Sequence, residues 1–178
     1  YGEREYRRFY PAGEVAAQLV GFTNVDGEGI AGLELAYDDW LRGTPGKKRY
    51  IKDLHGDTVR DIGVLQPGLP GKDLALSIDL RMQYVQHREL QRAVTALGAE
   101  SGTVVTLDSR TGEVLAMVNY PVYNPNGSKS GSAANRRNRA LTDTYEPGST
   151  MKSMTLVAAL ESGLYTPQTM IDTSPGRI

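Results

Sequence analysis

Two side chains three residues apart, Ser149 and Lys152 in the run Tyr145-Glu146-Pro147-Gly148-Ser149-Thr150-Met151-Lys152, could together carry nucleophilic chemistry. A serine hydroxyl attacks a carbonyl only when a neighbouring group takes its proton, and a neutral lysine amine can do so. Positions three apart on a helix share one face, with Cβ atoms about 5–6 Å apart, so the spacing supplies the geometry. A helix N-terminus, where unpaired N–H groups carry roughly half a positive charge, favours a developing alkoxide and disfavours an ammonium. Pro147-Gly148 breaks any preceding element, and Ser149 is expected as the N-cap or a first-turn residue. The tetrapeptide alone is a weak signal. Ten serines and six lysines in 178 residues give roughly one chance S-x-x-K in three such chains. Its plain alternative is a serine-capped helix with a solvated lysine.

The elements that must position this pair follow from periodicity. After Ser149, Met151, Met154, Ala158 and Ser162 form one stripe, widened by Leu156, Ala159 and Leu160 and closed by Gly163, which predicts a largely buried helix. Upstream, Leu74, Leu76 and Ile78 alternate as a strand. Asp79 then caps a helix whose stripe is Leu80, Tyr84, His87, Leu90, Val94 and Leu97, closed by Gly98. Ser101 to Leu107 and Val114 to Val118 flank the turn Asp108-Ser109-Arg110-Thr111-Gly112, predicting a hairpin of two buried strands. Helix, hairpin and second helix give an α+β arrangement with both helices on the sheet.

The first 72 residues are dense in turn signals and read as a small, loop-rich module. Within it, Ala31 to Leu41 has helical spacing through Leu33, Ala36, Tyr37 and Trp40. Lys47 to Asp53 and Thr58 to Leu65 read as a hairpin around Leu54-His55-Gly56-Asp57. Asn126 to Asn135, rich in Gly, Ser and Asn, has the composition of a flexible loop.

Composition narrows the function classes. Twenty basic and twenty-one acidic residues give a formal charge of −1, which argues against nucleic-acid binding by a bulk positive field. The absence of cysteine excludes disulfides and thiolate catalysis. Two histidines, His55 in a polar turn and His87 in a helix, supply a Ser-His-Asp triad poorly. No stretch of 18 apolar residues and no signal-peptide pattern occurs, and the chain runs from Tyr1 to Ile178, so we read it as part of a longer protein whose membrane anchor lies outside it.

Three other motifs are set aside. Asn24-x-Asp26-x-Glu28-Gly29 resembles the front of a calcium loop, but Leu35 stands where the closing Glu should be. Arg136, Arg137 and Arg139 beside a polar loop read as a solvated edge. Lys129-Ser130-Gly131 matches K-[ST]-G yet precedes the serine and has no strand character.

The residues around Ser149 resemble the class B penicillin-binding proteins. Tyr123-Asn124-Pro125-Asn126, Arg137-Asn138-Arg139-Ala140-Leu141 and Tyr145 to Lys152 are similar, in order, to that family's approach to its nucleophile. Arg7-Arg8-Phe9-Tyr10-Pro11-Ala12-Gly13, Gly21-Phe22-Thr23-Asn24 and Gly32-Leu33-Glu34 are similar to the pedestal module of its division-specific members. The resemblance implies a partial pedestal (dimerisation-type) module over residues 1–72 and the start of a penicillin-binding transpeptidase domain over 73–178, incomplete at its C-terminal side. It implies that Ser149 acylates on a peptidoglycan stem peptide, with Lys152 as general base and the Ser149 backbone N–H as one oxyanion donor. β-Lactams would act as substrate mimics. Neither a cofactor nor a metal is implied.

The same resemblance implies a single-pass inner-membrane protein with this part in the periplasm, partnered by division-complex membrane proteins including a lipid II glycosyltransferase. The family's S-x-N serine and K-[ST]-G strand do not follow Ser149 here, so these 178 residues alone are expected not to acylate. The contrasting reading is a non-catalytic platform in which residues 1–72 dock division proteins. A β-lactamase or β-lactam sensor is disfavoured by the pedestal motifs.

Overall fold

The computed structural model of the chain describes residues 8–52, 54–55, 58–127, 131–174 and 176. Arg7, Lys129 and Ser130 lie outside these. The chain divides into two compact units between Thr142 and Asp143.

In the first unit, a 3-10 turn at Gly13–Ala16 leads into α1 (Ala17–Val20), whose Ala17 and Gln18 are buried. Strands β1 (Phe22–Thr23) and β2 (Gly29–Ala31) pair antiparallel. The turn between them is organised by Asn24, whose Oδ1 accepts from the backbone N–H of Asp26 and Glu28 and whose Nδ2 donates to Glu28 Oε2. This is an Asx turn, and Glu28 also faces Arg42 at 3.4 Å.

The helix expected over Ala31 to Leu41 is two short ones, α2 (Gly32–Ala36) and α3 (Asp38–Leu41), broken at Tyr37. Asp38 explains the break. Its carboxylate accepts from Gly29 N–H and pairs with Arg42, restarting the helix beside β2. The Gly29 N–H first of all, and then Arg42, hold the Asp38 carboxyl below its usual range.

Strands β3 (Lys47–Lys52) and β4 (Thr58–Gln66) form the expected hairpin, a two-stranded ribbon with register shifts along it. The strand expected through Leu74, Leu76 and Ile78 is absent. Among the described residues that segment joins the neighbouring sheet through Ser77 Oγ to Val114 O (2.8 Å) and Asp79 N–H to Leu115 O (2.9 Å), too few bonds for a ladder.

Helix α4 (Leu80–Leu97) has the expected bounds. Asp79 Oδ1 accepts from Arg81 and Met82 N–H, and Gly98 closes the helix at φ 62. Its packing face keeps His87, Leu90 and Val94 of the expected stripe but leaves out Leu80, Tyr84 and Leu97. Leu80 and Tyr84 are each 55% exposed, whereas Gln83 is 1% exposed. The Gln83 amide donates to Val15 O and Met117 O and accepts from Met117 N–H, all at 2.8 Å, so its hydrogen bonds set the rotation of the helix.

Beneath α4 lies the hairpin of β5 (Gly102–Leu107) and β6 (Val114–Tyr120), antiparallel around the Asp108–Gly112 turn. Only β6 is a buried strand. β5 alternates between half-buried and exposed residues, because one of its faces has no covering layer. Glycine at 102 lets α4 pack close, since a Cβ would stand 2.8 Å from Leu90 Cδ1 and 2.9 Å from Val94 Cγ2 and would push them aside.

The core joins these elements through polar groups as much as apolar ones. Ala16, Ala17, Val94, Ala116, Val118 and Tyr123 are buried alongside Gln18, Gln83 and Asn119. Gln18 Nε2 donates to Pro121 O and Asn135 O, and Tyr123 OH donates to Ala17 O. Burial pushes the Tyr123 hydroxyl up to about 12, with neighbouring Tyr10 adding and Arg136 opposing, so it stays a neutral donor. Asn126 pairs with both backbone groups of Tyr10, accepting its N–H and donating to its C=O at 2.9 Å, as a strand neighbour would.

The expected flexible loop is therefore anchored at its described ends, by Asn126 and by Ser132, which caps α5 (Ala133–Arg136). Arg136 is not merely a solvated edge, because its guanidinium stacks over Phe22 at 5.7 Å. The unit closes with α6 (Arg139–Thr142). Arg8 forms a two-pronged ion pair with the buried Glu34 at 2.9 and 3.0 Å.

Candidate active site

Pro147, with helical backbone angles, precedes Gly148 at φ 55, a left-handed value that glycine adopts without penalty. A 3-10 turn over Gly148–Thr150 follows, and the α-helix α7 (Met151–Glu161) continues directly from it. Thr150 N–H bonds to Pro147 O at 3.2 Å. Ser149 lies in the 3-10 turn and not at the α-helix N-cap, which is Thr150. Its hydroxyl is consequently not consumed as a cap.

In a 3-10 turn, side chains three apart eclipse one another. Thr150 and Met151 have helical angles, so Ser149 and Lys152 fall on one side of a continuous helical run. Both are exposed, and among the described residues neither side chain makes a hydrogen bond or ion pair. The Ser149 N–H is among the first of the run, where amides lack an intrahelical acceptor and are open to an anionic oxygen.

The helix expected to be largely buried is exposed along its length. Met154 is 66% exposed, Leu156 61%, Val157 51% and Leu160 39%. Among the described residues of its unit nothing covers it, and apolar composition alone does not bury a helix that has no packed neighbour. A concavity in this unit is lined by Met170 to Ser174 and Gly176, away from Ser149 in sequence and with neither member of the pair in its wall.

His87 sits half-buried in α4 and His55 is exposed in the β3–β4 turn. Burial lowers the His87 basicity, which Glu14 partly offsets. Among the described residues, no group of three or more acidic or histidine side chains could hold a metal ion, and no helix is long and apolar enough to cross a membrane. Sequence reasoning missed the buried amides Gln18, Gln83 and Asn119. Polar residues inside otherwise apolar strand and helix faces were the available signal.

Residues 2–76 match the penicillin-binding protein dimerisation domain, and residues 102–178 match the penicillin binding protein transpeptidase domain. The chain belongs to the penicillin-binding protein family, as a class B segment carrying parts of both domains. It is 47% identical over 174 residues to the peptidoglycan D,D-transpeptidase FtsI of Escherichia coli (strain K12), covering 98% of this chain and 29% of that protein. It is 44% identical over 173 residues to the probable peptidoglycan D,D-transpeptidase PbpC of Pseudomonas aeruginosa, covering 97% of this chain and 31% of that one. The fold is similar to penicillin binding protein 3 of Mycobacterium tuberculosis, with a TM-score of 0.73 at 31% identity, covering 93% of this chain and 34% of that one. The chain thus spans about a third or less of the length of the proteins it matches, and its α+β class agrees with them.

Proposed function

We propose that this chain is the nucleophile-bearing segment of a serine-type peptidoglycan D,D-transpeptidase of septal cell-wall synthesis. The observation that carries the reading is Ser149 and Lys152 on one side of a glycine-initiated helical run, within the residues matched by the transpeptidase domain. Ser149 Oγ attacks the carbonyl of the penultimate D-alanine of a stem peptide while its proton passes to Lys152 Nζ. The Ser149 N–H stabilises the developing oxyanion. The peptide bond to the terminal D-alanine breaks, and that D-alanine leaves with the proton. The acyl-enzyme is then transferred to the amine of a neighbouring strand. A β-lactam forms the same ester and turns over slowly.

The whole protein on this reading is periplasmic and held by a single inner-membrane span. Its pedestal covers residues 1–72 and its transpeptidase domain starts at 73. It works beside other division proteins and a lipid II glycosyltransferase. A second reading, a docking platform, is favoured by the β3–β4 ribbon, whose Val59, Ile62 and Leu65 are 65%, 53% and 60% exposed.

The test uses a chimaera in which this chain replaces the matching 29% of the E. coli relative. Fluorescent penicillin is expected to label the chimaera and to leave the isolated 178-residue chain unlabelled. A chimaera that folds, supports its membrane partners and takes no label would favour the platform.

A further inference from the structure

We infer that Asn119 is a positioning residue for the nucleophile-bearing segment, holding the point from which the chain departs toward Ser149. The inference rests on the transpeptidase reading above.

Asn119 is 2% exposed in β6, beside Val118 at 2% and near Ala116 at 0%. An apolar β-branched residue suits such a strand position better, and a buried amide costs about 1–3 kcal/mol unless its hydrogen bonds are made. Both ends of this amide are used, and both on the same short stretch. Oδ1 accepts from Ala140 N–H at 2.8 Å, and Nδ2 donates to Asn138 Oδ1 at 3.0 Å.

Asn138 is held a second time by the same strand, its Nδ2 reaching Met117 Sδ at 3.4 Å. Its own carbonyl then receives Leu141 N–H, Thr142 N–H and Thr142 Oγ1, which forms α6. That helix is four residues long and buries none of them. A single turn is unfavourable on its own. The Asn119 amide and the Met117 thioether of β6 hold the start of this turn. Buried polar groups of this kind favour one arrangement over alternatives more than they add stability.

Only six positions lie between Thr142 and Ser149. An error at the start of so short a stretch reaches the serine, and a misplacement near 1 Å can cost about a hundredfold in rate.

The chimaera described above supplies the test, read as the rate of Ser149 acylation by penicillin alongside the melting temperature. Asn119→Leu is expected to slow acylation about tenfold or more. Gln83→Leu, which leaves three part-buried backbone groups of Val15 and Met117 unpaired but touches nothing in α6, is the control. It should destabilise at least as much yet slow acylation less than about twofold. Inserting Gly-Gly between the exposed Thr144 and Tyr145 should slow acylation by a similar factor to Asn119→Leu with the melting temperature unchanged, and it decides the matter if Asn119→Leu fails to fold. Wild-type acylation in Asn119→Leu, a loss that tracks stability equally in both variants, or a silent insertion would overturn the inference. An unaltered chimaera that takes no label would instead sink the transpeptidase reading, and this inference with it.

Discussion

Helices α4 and α7 make opposite use of their residues. α4 is rich in charged and amide side chains, among them Arg81, Gln83, Gln86, Arg88, Glu89 and Arg92, yet it docks on β6 and is closed at both ends by Asp79 and Gly98. α7 carries Met151, Met154, Leu156, Val157 and Leu160, has no side-chain cap, and buries no residue. Burial is decided by what lies opposite and by hydrogen bonds that can be satisfied there, not by apolar content. Gln83 is the most buried side chain of α4 because Val15 and Met117 present the backbone groups that match its amide.

Removing that match should have the largest effect on the packing of α4. Gln83→Leu leaves two carbonyls and one N–H unpaired in the core and is expected to cost about 3 kcal/mol in urea unfolding of the first unit, within the range for orphaned buried groups. A loss near zero would mean that the amide does not set the α4 face. Gly102→Ala comes next, since its Cβ must push Leu90 and Val94 aside, at about 1–3 kcal/mol.

His87 gives a smaller, pH-dependent effect. Burial lowers its folded basicity, so between its folded value and the ordinary value near 6.5 the unfolded chain binds more protons than the folded one. Stability should fall as pH drops from about 6.5 and level off once the folded histidine is also protonated. His87→Gln should flatten that part of the curve, and an unchanged slope would assign the pH dependence elsewhere. Leu156→Ala in α7 closes the series at under about 0.5 kcal/mol, as an exposed site. A large loss there would show that α7 packs against something in solution.

Legibility in the sequence followed the range of the interactions. The ends of α4 could be read because Asp79 and Gly98 act on their own neighbours. The β5–β6 hairpin could be read because Asp108 to Gly112 is a local turn. The rotation of α4 could not, since it depends on partners 68 and 34 positions away. The strand expected at Leu74 to Ile78 had the right alternation but lacks a partner for a ladder.

At the site, the spacing of Ser149 and Lys152 was visible. The left-handed Gly148 that puts Ser149 in a 3-10 turn, with its hydroxyl free of capping, was not. The motif residues Tyr10, Asn126 and Asn138, legible as a resemblance on the way to a nucleophile, form the hydrogen bonds that hold the first unit together.

The most direct measurement is mass mapping of the penicilloyl adduct in the chimaera. The account predicts one adduct, on the peptide containing Ser149, that disappears in Ser149→Ala, and a rate of formation at least about a hundredfold lower in Lys152→Ala. An adduct that persists in Ser149→Ala, or that maps to another residue, would contradict it.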